Sequence, residues 1–279
     1  MSYKSIVVHL DTSERTHRRL DVALRMAGQF GAHLTGAFSV DNPGQKSHEH
    51  TAGAGQYHAE RKRQRIQRRA SLERLFHAEL QRCGVPGSWI VADVSANLAV
   101  PRLGRCADLI IAGQDDVEDP ESYIASHFQE NLIMSAGCPV LLMPHVDLTP
   151  SVGNHVVVAW DGSREAARAV HDALPFMRGA KNTTVLTIQP ANNKQVDRGV
   201  RAADISAVIA RHGIEVRAVE IESDEGVAIG RTLLSYALDL GADLIVMGAY
   251  AHARWQELVI GSTTRTMLQS MAVPMLMSH

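Results

Sequence analysis

A repeated segment constrains the fold of this chain more than any other feature. Residues 107–113 read ADLIIAG and residues 242–248 read ADLIVMG, and each segment is followed, 26 residues after its glycine, by a proline and another apolar run. Residues 5–11, SIVVHLD, likewise match residues 155–161, HVVVAWD. Matching segments in the same order predict two copies of one structural unit.

The two copies meet near residues 147–154, DLTPSVGN, where proline, serine and glycine favour a linker. We therefore predict domains over residues 1–147 and 154–279, and a length of 279 residues agrees with two domains. The interval from Asp11 to Gly113 is 102 residues, and the matching interval in the second copy, from Asp161 to Gly248, is 87. We place the additional residues around 41–61, where glycine, histidine, serine and asparagine crowd together.

Each copy alternates apolar runs with segments of helical periodicity. The predicted strands are 6–10, 34–40, 88–94, 109–112 and 140–143, then 156–160, 184–189, 215–221, 244–247 and 275–277. The predicted helices are 13–30, 61–83 and 96–105, then 164–177, 200–212, 228–240 and 263–271. Continuous apolar strands separated by helices are typical of a parallel sheet that is covered on both faces. The predicted fold class is therefore α/β, with two repeated doubly wound, Rossmann-like domains, each a five-stranded parallel sheet with helices on both faces.

The segment 244–274 has the composition of an anion-binding loop. Its apolar strand ends on Gly248, and a second glycine, Gly261, precedes the hydroxyl residues Ser262 and Thr263 at a helix start. Glycine lets backbone come close to a ligand, and free N–H groups at a helix N-terminus favour phosphate. The pattern G-x-x-A-x(9)-G-S is not a P-loop, because no lysine follows the second glycine.

The position of ligands in doubly wound sheets brings Asp161 into the same argument. Ligands bind beyond the carboxyl ends of the strands, where the strand order reverses. If that point lies between the first and fourth strands of a copy, Asp161 and Gly248 become neighbours, and the carboxylate can accept hydrogen bonds from ribose hydroxyls. The alternative is that Asp161 or Ser163 only caps the following helix.

These segments together resemble the universal stress protein family in its tandem form. The resemblance covers essentially the whole chain and is carried by residues 6–11, 107–116, 156–170, 241–254, 259–268 and 273–277. It implies a five-stranded parallel sheet in each domain, an internal pseudo-dimer of the two domains that often pairs through the last strand, and a role in the stress response in the cytoplasm. It also implies ATP or AMP as ligand, since some members bind these nucleotides and others bind none.

The resemblance assigns roles to individual residues of the second copy. The phosphate positions match Gly248, Gly261, Ser262 and Thr263, the ribose position matches Asp161, and the nucleoside positions match Ala159 and Pro190. Ala251 replaces the middle glycine of the motif. Alanine costs roughly 1 kcal/mol if this position needs a positive φ, and little if it only needs a small side chain. His252 and Arg254 lie inside the loop and either contact phosphate or are exposed.

The corresponding loop of the first copy has different chemistry. Residues 114–121 read QDDVEDPE, with five carboxylates in eight residues, and these would repel a triphosphate. We therefore predict a degenerate first domain with a structural or regulatory role. The alternative is that these carboxylates bind a cation, although their spacing fits no standard ligand pattern.

Composition and the remaining motifs exclude several function classes. A net charge of −2 and few aromatic residues argue against a nucleic-acid partner, and the basic run 61–69 is better explained as a solvated helix face. No apolar run is long enough to span a membrane, and three separated cysteines are typical of a reducing compartment. The absence of catalytic motifs, such as H-E-x-x-H or C-x-x-C, indicates at most a weak ATPase.

Three hypotheses follow for the function. The first is a stress-response switch that binds one ATP or AMP, with or without Mg²⁺, in the second domain, either as a single chain or as a homodimer. The second is a nucleotide-free scaffold for protein interaction, favoured by the acidic loop of the first copy and by Ala251. The third is an enzyme of the wider adenine-nucleotide α-hydrolase-like group, which would turn over ATP rapidly.

Overall fold

Strands and helices alternate along the chain in this computed structural model. It describes residues 2–39, 54–92, 94–114, 124, 127–146, 151–190, 200–224, 226–250 and 262–279. The strands are β1 (Ser5–Leu10), β2 (His33–Ser39), β3 (Gly87–Ala92), β4 (Leu109–Gly113), β5 (Val140–Met143), β6 (His155–Ala159), β7 (Asn182–Pro190), β8 (Arg217–Ser223), β9 (Leu244–Gly248) and β10 (Met275–Ser278). The helices are α1 (Thr16–Phe30), α2 (Ala54–Cys83), α3 (Ala96–Gly104), α4 (Phe128–Ser135), α5 (Arg164–Met177), α6 (Ala202–Arg211), α7 (Ile229–Asp239) and α8 (Ser262–Ser270).

The first compact unit comprises residues Tyr3–Cys138. Its strands are parallel and lie in the order β3-β2-β1-β4, so that β1 pairs with β2 on one side and β4 on the other. Every residue of β4 is buried, which is why its sequence is continuously apolar. Helix α1 packs against α2, and α3 packs against α4.

The second compact unit comprises residues Pro139–His279. Strands β6 to β10 are parallel and lie in the order β10-β9-β6-β7-β8, which is the order 3-2-1-4-5 of a Rossmann-like sheet when β6 is counted as the first strand. Strand β5 is antiparallel to β10, with Leu142 opposite Met275. The predicted fold class, two repeated Rossmann-like α/β units with mainly parallel sheets, is confirmed. The domain boundary at residues 147–154 stays a prediction.

The repeated ADL motif has a structural explanation. Asp243, which is 4% exposed, accepts backbone hydrogen bonds from Gly153, Asn154 and His155 at 2.7–3.1 Å, and the Ser151 hydroxyl donates to it at 2.6 Å. Its counterpart Asp108 accepts from the backbone N–H groups of Lys4, which precedes β1, and of Ser5, which begins it, at 2.6 and 2.9 Å. Each aspartate therefore anchors the first strand of its unit to the fourth.

Several predicted element boundaries were wrong for local reasons. Helix α2 begins at Ala54, so part of the segment that we assigned to an insertion is helical, in agreement with its alanine and glutamate content. Helix α4 was not predicted at all, because eight residues contain little periodicity. Helix α1 begins at Thr16 rather than at residue 13, since the backbone N–H and the hydroxyl of Ser13 both bond the Asp11 side chain in a turn that precedes the helix.

Candidate functional site

The strand order reverses between β9 and β6, and the candidate site lies at the carboxyl ends of these two strands. Ala159, the last residue of β6, is opposite Met247 in the parallel register. Gly248 is the next residue of β9, and Asp161 follows β6 by two residues. The predicted adjacency of the first and fourth strands of this copy is therefore confirmed, and the roles assigned to Asp161 and Gly248 stay predictions.

The turn after β6 presents Asp161 to solvent. The side chain is exposed, and its Oδ1 accepts one hydrogen bond, from the backbone N–H of Ser163 at 3.0 Å. The Ser163 hydroxyl in turn accepts from the backbone N–H of Ala166 at 3.1 Å and caps α5. The helix-capping alternative thus applies to Ser163, while the Asp161 carboxylate keeps its second oxygen without a partner among the described residues.

Gly248 is explained by the close approach of helix α5. A Cβ atom at this position would lie 2.5 Å from the backbone carbon of Glu165 and 2.9 Å from Cα of Ala166. Gly248 does not have a positive φ, so the requirement is space rather than backbone conformation. This glycine brings the N-terminus of α5 against the end of β9, and it would be needed even without a ligand.

The start of the loop after β9 is held by β10 and by α8. The N–H of Ala249 donates to the carbonyl of Ser278 at 2.9 Å, and Nδ1 of His279 lies 3.1 Å from the carbonyl of Ala249. The N–H of Tyr250 reaches the hydroxyl of Thr264, a buried residue in the first turn of α8, at 3.5 Å. These contacts place the N-terminal turn of α8 beside the end of β9.

The structure describes some of the predicted site residues and not others. Ala159 is half-buried, Thr263 is half-buried in the first turn of α8, and Ser262 begins that helix. Pro190 ends β7 four residues beyond Leu186, which is the partner of Ala159, so it lies further out along the neighbouring strand. Four predicted residues lie outside the described part of the chain: Ala251, His252, Arg254 and Gly261.

Tyr250, the residue before Ala251, has an unusual backbone conformation. Tyr250 adopts a left-handed conformation with φ 63°, which is uncommon for a residue with a side chain. Its ring is buried and meets the ring of His279 edge-to-face at 6.5 Å. A left-handed residue therefore occurs in this loop at position 250.

The first unit has a very different aspartate at the equivalent position. Asp11 accepts hydrogen bonds from the backbone and the hydroxyl of Ser13 at 2.9 and 2.5 Å, from the Thr16 hydroxyl at 3.0 Å, and from the Arg19 guanidinium at 2.5 Å. Burial alone would raise the pKa of Asp11, but the Arg19 charge and the hydrogen bonds from Ser13 lower it to about 2. Where the second unit has Ala159, the first has His9, and burial lowers the pKa of this imidazole to about 4.

Three residues that contact the segments after β9 and β1 were not predicted from the sequence. Thr264 belongs to the quoted GSTT segment, and the signal was its hydroxyl at a helix start. His279 lies in a segment with no motif, so nothing in the sequence indicated its contact with Ala249. Arg19 corresponds to Ala169 when the two copies are aligned on Asp11 and Asp161, and this exchange of a cation for a methyl group was the available signal.

Residues 154–279 match the model of the Universal stress protein family. This part of the chain is therefore similar to the universal stress protein family. A universal stress protein of Synechocystis sp. is 26% identical to the chain over 175 residues, which are 61% of this chain and 57% of the relative. The chain thus spans little more than half the length of that relative.

Solved structures show the universal stress protein fold over almost the entire chain. A universal stress protein from Archaeoglobus fulgidus is 16% identical, with a TM-score of 0.69 over 98% of this chain and 97% of the other. A protein of unknown function from Pseudomonas aeruginosa is 18% identical, with a TM-score of 0.64 over 99% and 92%. At these identities the likeness concerns the fold alone.

Two further searches of the described residues were negative. None of the described helices combines the length and the apolar character needed to cross a membrane. Across the same residues, no three histidine, cysteine, aspartate or glutamate side chains group as they would around a metal ion. The acidic segment 115–121, which we considered for a cation, lies outside the described residues.

Proposed function

We propose that this protein is a stress-response switch that binds one adenine nucleotide, ATP or AMP, in its universal stress protein domain at residues 154–279. In this proposal, residues 1–147 form a degenerate copy that binds none. Asp161 contacts the ribose, and the backbone from Gly248 and from 261–263 holds the phosphates. Ala159 and Pro190 line the nucleoside, while His252 and Arg254 approach the phosphates from the loop.

The state of Asp161 is the observation that carries this proposal. The carboxylate is exposed, lies at the switch point next to Gly248, and has one oxygen without a partner among the described residues. Two adjacent ribose hydroxyls need an acceptor of this kind. In the first unit, by contrast, Asp11 already accepts four hydrogen bonds and is 12% exposed, so it has little capacity left for a ligand.

The phosphate side of the proposal relies on two helix N-termini. Helix α5 approaches Gly248 so closely that only glycine fits, and the hydroxyl of Thr264 ties α8 to the backbone of Tyr250. The N-terminal N–H groups of a helix and its dipole favour an anion. Phosphates bound beyond the end of β9 would therefore experience a favourable field even without a lysine.

Calorimetry with ligand-free protein tests the proposal directly. Bound small molecules are first released by denaturation, identified by mass spectrometry, and removed by refolding or exhaustive exchange. ATP and AMP are then titrated with and without Mg²⁺. The nucleotide cAMP is also titrated, because one solved universal stress protein is in complex with it. We expect ATP or AMP to bind with one site per chain, and at most slow hydrolysis of ATP.

Two substitutions with matched controls locate the site. Asp161→Asn should weaken binding about 10- to 100-fold, since hydrogen bonds to a charged group contribute roughly 1.5–3 kcal/mol, whereas Asp239→Asn, at an exposed position near the end of α7, should not change it. Ser262→Ala should weaken binding and Ser270→Ala, at the other end of α8, should not. If no nucleotide co-purifies and none gives heat, the protein is the nucleotide-free scaffold of the alternative hypothesis. Rapid ATP turnover would instead support the enzyme hypothesis.

A further inference from the structure

The first unit contains a buried charged cluster at the position where the second unit presents Asp161. The Arg19 side chain is 4% exposed, and its Nη2 donates to Asp11 at 2.5 Å and lies 2.9 Å from the Thr16 hydroxyl. Asp11 follows β1 just as Asp161 follows β6. The pair therefore lies at the switch point of the first unit, between the carboxyl ends of β1 and β4.

The end of β4 is shaped to receive the Arg19 guanidinium. A Cβ atom at Gly113 would overlap Nη1 of Arg19 and lie 3.1 Å from its Cζ, so a side chain here would displace the guanidinium from its present position. The carbonyl of Gly113 accepts a hydrogen bond from the amide of Gln129 at 3.1 Å, and Gln129 is itself buried. Gly113 thus lies between two side chains: it contacts the guanidinium that Asp11 binds, and its carbonyl accepts from the Gln129 amide.

The matched glycine of the second unit has another neighbour. Gly248 is packed against the backbone of α5, whereas Gly113 is packed against the Arg19 side chain of α1. The residue that corresponds to Arg19 is Ala169, which is buried and cannot reach a strand end. The equivalent glycines of the two units therefore have different neighbours, which are a helix backbone in the second unit and a guanidinium in the first.

We propose that Arg19 is an internal ligand of the first unit, whose guanidinium occupies a binding site formed by Asp11, Thr16 and Gly113 and keeps external ligands out of it. An ionised carboxylate that accepts a planar guanidinium is the usual receptor for this cation. The site is thus a guanidinium site, satisfied from within the chain. This inference does not depend on whether the second unit binds a nucleotide.

Chemical complementation tests the proposal. Arg19→Ala removes the side chain and leaves its site, and ethylguanidinium supplies the missing group. Hydrogen–deuterium exchange of peptides that cover residues 5–20 reports on this unit alone. We expect Arg19→Ala to increase exchange there at least tenfold, and ethylguanidinium to restore protection along a saturable curve. Sodium chloride and ethylammonium chloride at the same ionic strength should not restore it.

Further variants separate an internal ligand from ordinary packing. The wild-type protein and Arg25→Ala, which changes an exposed arginine of the same helix, should bind no ethylguanidinium by calorimetry, whereas Arg19→Ala should bind one equivalent. Asp11→Asn combined with Arg19→Ala should abolish that binding. If Arg19→Ala does not fold, refolding yield with ethylguanidinium, against ethylammonium, replaces exchange as the measurement. Unchanged exchange in Arg19→Ala, or rescue that is equal for all three salts, would overturn the proposal.

Discussion

Two glycines show how the surroundings of one residue decide the effect of a substitution. Gly248→Ala should destabilise the protein by about 1–3 kcal/mol, because the new methyl group meets the backbone of α5, which cannot move alone. Gly28→Ala, within α1 and with nothing near its Cβ position, should stabilise by about 0.5–1 kcal/mol through helix propensity. Urea unfolding of both variants checks the prediction, and equal effects would contradict it.

His9 should make the protein sensitive to mild acid. Burial lowers its pKa from 6.5 to about 4, so between these values the unfolded chain binds a proton that the native protein does not. Stability is then fully present above pH 6.5 and is lost as the pH falls towards 4. Between pH 7 and pH 5 the loss from this one group should be about 2 kcal/mol.

The measurement for His9 is the free energy of unfolding at pH 7 and pH 5. His9→Gln should lose less stability over this interval than the wild type, while His17→Gln, at an exposed position of α1, should behave like the wild type. Asp11 adds a second loss only at lower pH, since its pKa is already lowered to about 2. An unchanged pH dependence in His9→Gln would show that the imidazole is not buried in its neutral form.

At the scale of elements, Asp243 joins the fourth strand of the second unit to the segment that enters β6. Asp243→Ala should cost about 3 kcal/mol or more, because three backbone N–H groups and a hydroxyl lose a buried charged acceptor. Asp204→Ala removes an exposed cap at the start of α6 and should have a much smaller effect. Urea unfolding measures both, and a small effect at Asp243 would contradict its anchoring role.

Helices α1 and α5, each the first helix of its unit, begin at different distances from the aspartate that precedes them. Helix α5 begins directly after its serine cap, and its backbone reaches Gly248. Helix α1 begins five residues after Asp11, and this carboxylate is bonded by Ser13 of the intervening turn and by Thr16 and Arg19 of the helix itself. The same strand-turn-helix unit therefore presents its aspartate to solvent in one copy and engages it in the other.

At the scale of the whole molecule, nucleotide binding should protect one unit and leave the other unchanged. At a ligand concentration 100 times the Kd, binding stabilises the folded state by about 2.7 kcal/mol. Hydrogen exchange with saturating ATP or AMP should slow in β6 and β9, and should not change in the equivalent strands β1 and β4. Equal protection in both pairs of strands would show that the first unit also binds nucleotide.

The sequence by itself determined the repeated α/β architecture and the candidate site region. Buried parallel strands are apolar along their whole length, so the segments ADLIIAG and ADLIVMG could be recognised as strands. Their equal spacing to a following proline indicated the repeat. The strand order then followed the usual rule for doubly wound sheets, and β6 and β9 are adjacent as predicted. The short helix α4 and the start of α2 could not be predicted, because local periodicity is weak in both segments.

Only the tertiary structure decided what the repeated residues do. Asp11 and Asp161 look alike in sequence, but the first is engaged by Arg19 from eight residues away and the second is exposed. Gly113 and Gly248 also look alike in sequence. Gly113 contacts the guanidinium of Arg19, whereas Gly248 contacts the backbone of helix α5. The physical reason is that burial, charge pairing and close approach depend on which groups the fold brings together. A sequence motif contains only one residue of each such contact, and its partner lies elsewhere in the chain.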